Sequence, residues 1–166
     1  MDFTMTHKFD FPVETVTDIL KAGEDLFPME ELQNVSARTR IYQKREGSRI
    51  LRKYEWNVHG QIPPLAQKIF KPETLMFIEE SVWDDDRCCF ESRIIPHHFK
   101  NVMKVTSKST WSAAPGGGAQ RRIESSISIN IPVVGPIAEK VIIEHFKKNN
   151  DQSAEMIRKN LAKKSS

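Results

Sequence analysis

Polar and apolar residues alternate from the start of the chain. Phe3, Met5, His7, Phe9 and Phe11 share one parity, and Asp2, Thr4, Thr6, Lys8 and Asp10 the other. That period of two predicts a strand over residues 2–11. Pro12 suits the first turn of a helix, and Val13, Val16, Ile19, Leu20, Gly23, Leu26 and Phe27 follow at helical spacing. Pro28 interrupts this helix, and a short second one is expected through Met29 to Gln33. From Val35 the period returns to two. Strands are expected over 36–45 and 49–58 around Glu46-Gly47-Ser48, and over 73–83 and 87–95 around Asp84-Asp85-Asp86. A third pair, over 102–111 and 119–131, flanks Pro115-Gly116-Gly117-Gly118. Successive hairpins of this kind make a meander.

After Pro132-Val133-Val134-Gly135-Pro136 the pattern turns helical to the end, for about thirty residues or roughly 40 Å. Ala138, Ile142, Phe146, Ile157 and Leu161 form its apolar stripe, widened by Ile137, Val141 and Ile143. Between Phe146 and Ile157 the stripe carries Asn149 and Ser153, so the helix either leaves the core there or lines a wet space. A sheet with one exposed face must bury the other, and only this helix is large enough to cover it. The expected fold is therefore α+β: a curved seven-stranded antiparallel sheet wrapped around a long C-terminal helix, with two short helices after the first strand. A wedge-shaped gap between sheet and helix is a natural site for a small apolar molecule.

Strand parity nominates the residues facing that gap. Ile50, Arg52, Tyr54, Trp56 and Val58 share a face, as do Leu75, Phe77, Glu79, Ser81 and Trp83. Phe90, Ser92 and Ile94 follow, then Met103, Val105, Ser107, Ser109 and Trp111, then Ile123, Ser125, Ile127 and Ile129. Ser107, Ser109 and Ser125 among aromatics make this face more polar than a close-packed core should be, because a buried hydroxyl needs a partner. Either they line a partly hydrated pocket, or they lie near strand ends, or a bulge turns their face the other way. Arg52 and Glu79 fall on otherwise apolar faces. They form a buried pair, or Arg52 alone receives a ligand carboxylate, or they reach solvent. The expected cavity residues are Arg52, Tyr54, Trp56, Phe77, Glu79, Trp83, Phe90, Met103, Ser107 and Trp111 from the sheet, with Ile142, Phe146 and Asn149 from the helix.

Composition narrows the function classes. The chain has 166 residues, 39% apolar and 28% charged, as in an ordinary globular protein. One domain over residues 1–166 is expected. No run approaches the roughly 20 apolar residues of a membrane span, and the first ten residues lack a secretory leader's apolar core. An intracellular, cytoplasmic protein is expected. The net charge of +3 is mild, and the basic residues of the last helix suit a helix C-terminus. That tail has no aromatic after Phe146, so no nucleic-acid partner is expected. Adjacent Cys88 and Cys89 would point to opposite faces of a strand, which disfavours a disulfide between them and reads as two structural thiols.

Candidate chemistry is sparse. His7, between Met5 and Phe9, is either a satisfied core histidine or a proton donor facing the cavity. His97-His98 lacks a third ligand at metal-binding spacing, and the Asp84-Asp85-Asp86 run reads as a solvated turn, so no metal is expected. No nucleophile elbow, phosphate loop or zinc-helix motif is present, and no cofactor and no catalytic residue are assigned. The segment from Gly60 to Phe70, with Pro63-Pro64, forms a lid, touches a membrane or partner transiently, or packs its own apolar residues on the body.

The element order, with Lys71-Pro72-Glu73-Thr74-Leu75 leading into Glu79-Glu80-Ser81-Val82-Trp83, resembles the START-like superfamily. The run from Ile127 to Gly135, entering the helix through Ile137-Ala138-Glu139-Lys140, carries the second part of the likeness. This superfamily includes the birch-pollen-allergen, polyketide-cyclase and lipid-transfer branches, and the chain is most similar to an uncharacterised bacterial branch. The resemblance implies a helix-grip fold and a hydrophobic cavity, with a role in binding, carrying or modifying apolar molecules. It carries over no catalytic residue. Three readings compete: a carrier of a lipid-like or aromatic molecule; a cavity enzyme of the cyclase or hydratase type using His7, Glu79 or Arg52; and a protein-binding module such as a chaperone regulator.

Overall fold

The structure, a computed structural model, describes residues 1–22, 35–59, 64, 66–68, 71 and 75–166. The expected helix at Met29–Gln33 and most of the Gly60–Phe70 segment lie outside the described residues. Seven strands form one antiparallel sheet: β1 (Asp2–Phe9), β2 (Val35–Glu46), β3 (Arg49–Val58), β4 (Met76–Asp84), β5 (Cys89–Pro96), β6 (Met103–Ala113) and β7 (Ala119–Ile129). Their order is β1-β7-β6-β5-β4-β3-β2, a meander closed by β1 against the last strand. Helix α1 spans Val13–Lys21 and helix α2 spans Val134–Lys164.

The differences from expectation are local. Strand β1 stops at Phe9 rather than Phe11, and the chain bends at Asp10 and Phe11 toward α1, where Val16 N–H bonds Pro12 O at 3.1 Å. Gly118 makes that corner fit, because a Cβ there would lie 2.2 Å from Phe9 O. Strand β5 starts at Cys89 rather than Arg87, since Cys88 takes a positive φ of 48° in the preceding turn. Both cysteines are free, and burial raises their thiol pKa values. The acidic run is only partly solvated. Asp84 is buried, and its carboxylate accepts the backbone N–H groups of Asp86 and Arg87 and the Arg87 Nε–H. Asp85 accepts Trp83 Nε1–H at 2.7 Å. The run is a turn cap.

Helix α2 is held at both ends. Val134, Gly135 and Ala138 are buried at its start, and Ser153, Ala154, Met156, Ile157 and Leu161 near its finish. From the second group, Ala154, Ile157 and Leu161 join Phe9, Val16, Ile19, Ile50, Trp83, Trp111 and Ala119 in a dense core that also takes up α1. Between the two anchors, residues 139–152 are half-buried or exposed. The helix bridges a gap there instead of packing onto the sheet.

Candidate functional site

That gap is a partly enclosed cavity of about 290 Å³ between the concave sheet face and α2. Its size follows from a row of small side chains. The strand registers place Ser81 opposite Ser92, Ser92 opposite Ser107, and Ser107 opposite Ser125, across four neighbouring strands. Arg52 on β3 and Gln43 on β2 continue the row at one side, and Phe3 on β1 ends it at the other. Serine fills little volume where Leu or Phe would fill the space below α2. Ser125 donates to Ser107 Oγ at 2.8 Å.

Aromatic groups make the walls. Trp56 stacks on Phe77 with centroids 6.0 Å apart, and Trp83 meets Trp111 edge-on at 5.4 Å. The Arg38 guanidinium lies 3.9 Å from the Tyr54 ring centroid and 4.8 Å from that of Trp56, a double cation–π contact at the cavity edge. Phe146, Asn149, Asn150 and Ser153 descend from α2.

Of the residues nominated from strand and helix parity, Arg52, Tyr54, Trp56, Phe77, Glu79, Trp83, Phe90, Ser107, Trp111, Phe146 and Asn149 lie together around this cavity. Met103 and Ile142 do not. Met103 pairs with Ile129, the residue against which the first turn of α2 is packed, and Ile142 sits one turn nearer that end than Phe146. Neither lines the cavity. Ser107 and Ser109 lie mid-strand, so the strand-end alternative for them is excluded.

Arg52 and Glu79 are not a pair. Arg52 donates from Nε to Gln43 Oε1 at 2.9 Å and from Nη2 to Leu20 O at 2.8 Å, and burial lowers its pKa. Glu79 accepts Trp56 Nε1–H at 2.9 Å, inside the cavity wall. Burial holds the Glu79 carboxyl above the usual carboxylate range, against the opposing pull of Arg38 and the Trp56 hydrogen bond.

A polar cluster that sequence parity missed sits at the helix gap. Arg121 is 5% exposed and lines the cavity. Its Nη2 donates to His7 Nδ1 at 3.1 Å and to Asn150 O at 3.0 Å, and Nη1 donates to Ser153 Oγ at 3.4 Å. His7 Nε2 meets Asp151 Oδ1 at 2.8 Å. An arginine only donates, so His7 Nδ1 must be the acceptor and the Nε2–H must face Asp151: the imidazole is neutral. Burial is the main cause of the lowered His7 pKa, opposed by Asp151 and assisted by the Arg121 charge. Burial also depresses the Arg121 pKa, to about 10. His7 therefore stands behind Arg121 and is not part of the cavity wall. The signal for Arg121 was available two residues before Ile123 on the same face of β7.

Among the described residues, no group of three or more His, Cys, Asp or Glu side chains is placed to hold a metal. None of their helices is long and apolar enough to cross a membrane.

A curved antiparallel sheet closed around a long C-terminal helix over a cavity is the helix-grip architecture of START-like proteins. The match to solved structures shows the same fold. TTHA0849 from Thermus thermophilus superposes with a TM-score of 0.65 at 16% identity, covering 100% of both chains. The Zhui aromatase/cyclase from a Streptomyces species gives 0.68 at 8% identity, over 100% of this chain and 96% of that one. Ara h 8.0201 gives 0.62 at 11%, over 98% of each. Residues 4–161 match the family described as "Protein of unknown function (DUF2505)", and the chain belongs to that family. No curated protein matches it.

Proposed function

We propose that the chain, residues 1–166, is a single START-like domain that binds a small hydrophobic or aromatic molecule between the sheet and α2. One observation carries the reading. The cavity coincides with a helix that is anchored at both ends but not in the middle, over a serine row that holds the space open. A volume near 290 Å³ lies at the small end of ligand pockets, which run from about 300 to 1,000 Å³. That favours a compact ring system or short chain over a two-chain lipid. The test is native mass spectrometry of protein purified without denaturant, followed by organic extraction. A stoichiometric bound molecule is the expected result. Bare protein that also ignores a panel of small aromatic compounds in calorimetry overturns the reading.

A second reading, proton-transfer chemistry in the same cavity, is favoured by Glu79, a carboxyl whose surroundings keep it protonated to higher pH. Glu79→Gln keeps an acceptor for Trp56 Nε1–H while removing the acid. Under this reading the variant still binds the extracted molecule but no longer transforms it. Unchanged turnover by the variant, or no turnover by either protein, removes it.

A further inference from the structure

Three tryptophans line the cavity, and two have their indole N–H satisfied, Trp56 by Glu79 and Trp83 by Asp85. The third is not. Trp111 is 5% exposed, and its Nε1 is buried with no hydrogen-bond partner among the described residues. Buried tryptophan N–H groups normally find an acceptor. Arg121, whose guanidinium carbon is 6.0 Å from the centroid of the same indole, repeats the deficit. A guanidinium offers five N–H donors. The contacts to His7, Asn150 and Ser153 use three, one of them long, and Nε is buried without a partner among the described residues.

Charge is unbalanced in the same direction. Among the described residues no carboxylate lies within 4.0 Å of either Arg121 or Arg52, although both are buried cavity residues. Asp151 touches the far side of His7 and is itself largely exposed, so it reaches Arg121 only through the imidazole. Glu79 is occupied by Trp56. A buried guanidinium without an anion is costly, and the cost is relieved when a ligand brings one. The His7 and Asn150 contacts fix the plane of the Arg121 fork, as a positioning device for planar recognition requires.

We propose that the bound molecule is a compact amphipathic carboxylate, its anionic group received by Arg121 and Trp111 and its apolar part lying along Trp56, Phe77 and Phe146. This rests on the cavity being a ligand site. Arg121 is the receiver rather than Arg52, because Arg52 points its Nε and Nη2 at Gln43 and Leu20 and, among the described residues, has no fully buried donor left without a partner, whereas Arg121 has its Nε in that state.

The experiment compares two probes of nearly equal shape, 2-naphthoate and 2-naphthylmethanol, by isothermal titration calorimetry at pH 7.5. The wild-type protein is expected to bind the acid about tenfold or more tightly, the usual scale of a charged hydrogen bond. Arg121→Gln brings the two affinities together, and Trp111→Phe, which keeps the ring and removes only the N–H, narrows the ratio by about threefold. Equal wild-type affinities, a preference that survives Arg121→Gln, or one lost in Arg52→Gln but kept in Arg121→Gln overturns the proposal. Should Arg121→Gln fail to fold, the wild-type comparison and Trp111→Phe still decide it. If the alcohol binds and the acid has no advantage, this inference fails and the ligand site stands. If neither probe binds, both fail.

Discussion

Serine at positions 81, 92, 107 and 125 is a weak choice for the centre of a concave sheet face meant only to be packed. Each hydroxyl must find a partner, and each small side chain leaves room above it. Ser107 and Ser125 solve the first problem by bonding one another. Ser107→Ala strands the Ser125 hydroxyl, and chemical denaturation should register a loss of about 1 kcal/mol. His7 makes a different prediction. Its folded pKa lies below its ordinary value of 6.5, so the unfolded chain binds more protons between those two values. The stability it contributes is complete above pH 6.5 and declines as pH falls toward the folded pKa. Denaturant unfolding from about pH 7.5 to 5.5 should show that decline, and His7→Gln should flatten it. Equal slopes in the two proteins would mean His7 is not held neutral by Arg121 and burial.

Among the elements, α2 decides the shape of the site. Its first turn can approach β7 only because residue 135 is glycine. A Cβ there would lie 2.1 Å from Ile129 O, a backbone atom that cannot swing aside. Glu139 secures the same junction by accepting Ile129 N–H at 2.8 Å. Gly135→Ala should therefore lower stability by about 2 kcal/mol, a drop of roughly 4–8 °C in thermal unfolding for a chain of this size. A variant that melts with the wild type would mean this anchor does not hold the helix. The polar gap in the helix was legible in the chain as Asn149 and Ser153 interrupting an apolar stripe. What fills it was not, because Arg121 and Asn150 are joined through the fold rather than by local spacing.

At the level of the molecule, the change of period from two to 3.6 and back laid out the meander and its covering helix in the chain itself. The interior face followed from parity, and most of the residues nominated that way share one side of the sheet because β3 to β7 carry no register shift; both shifts lie in β2. Parity fails where a residue's role depends on how far α2 stands from the sheet, which is why Met103 and Ile142 lie outside the cavity lining. It also fails at the β4–β5 turn, where Cys88 takes a positive φ and Asp84, at the end of β4, is buried as the turn's cap. The cavity's openness depends on the serine row, so Ser107→Leu should abolish small-molecule binding while leaving the protein folded by circular dichroism. Retained binding would place the ligand elsewhere.

The most direct test of a ligand site between sheet and α2 is a high-resolution crystal structure of the protein purified without denaturant. Continuous non-protein density beneath Asn149 and Phe146, over the serine row and reaching Trp56 and Phe77, is the expected result. Phe146 and Trp56 closed onto the serines, or a chain of separate waters in their place, would contradict it.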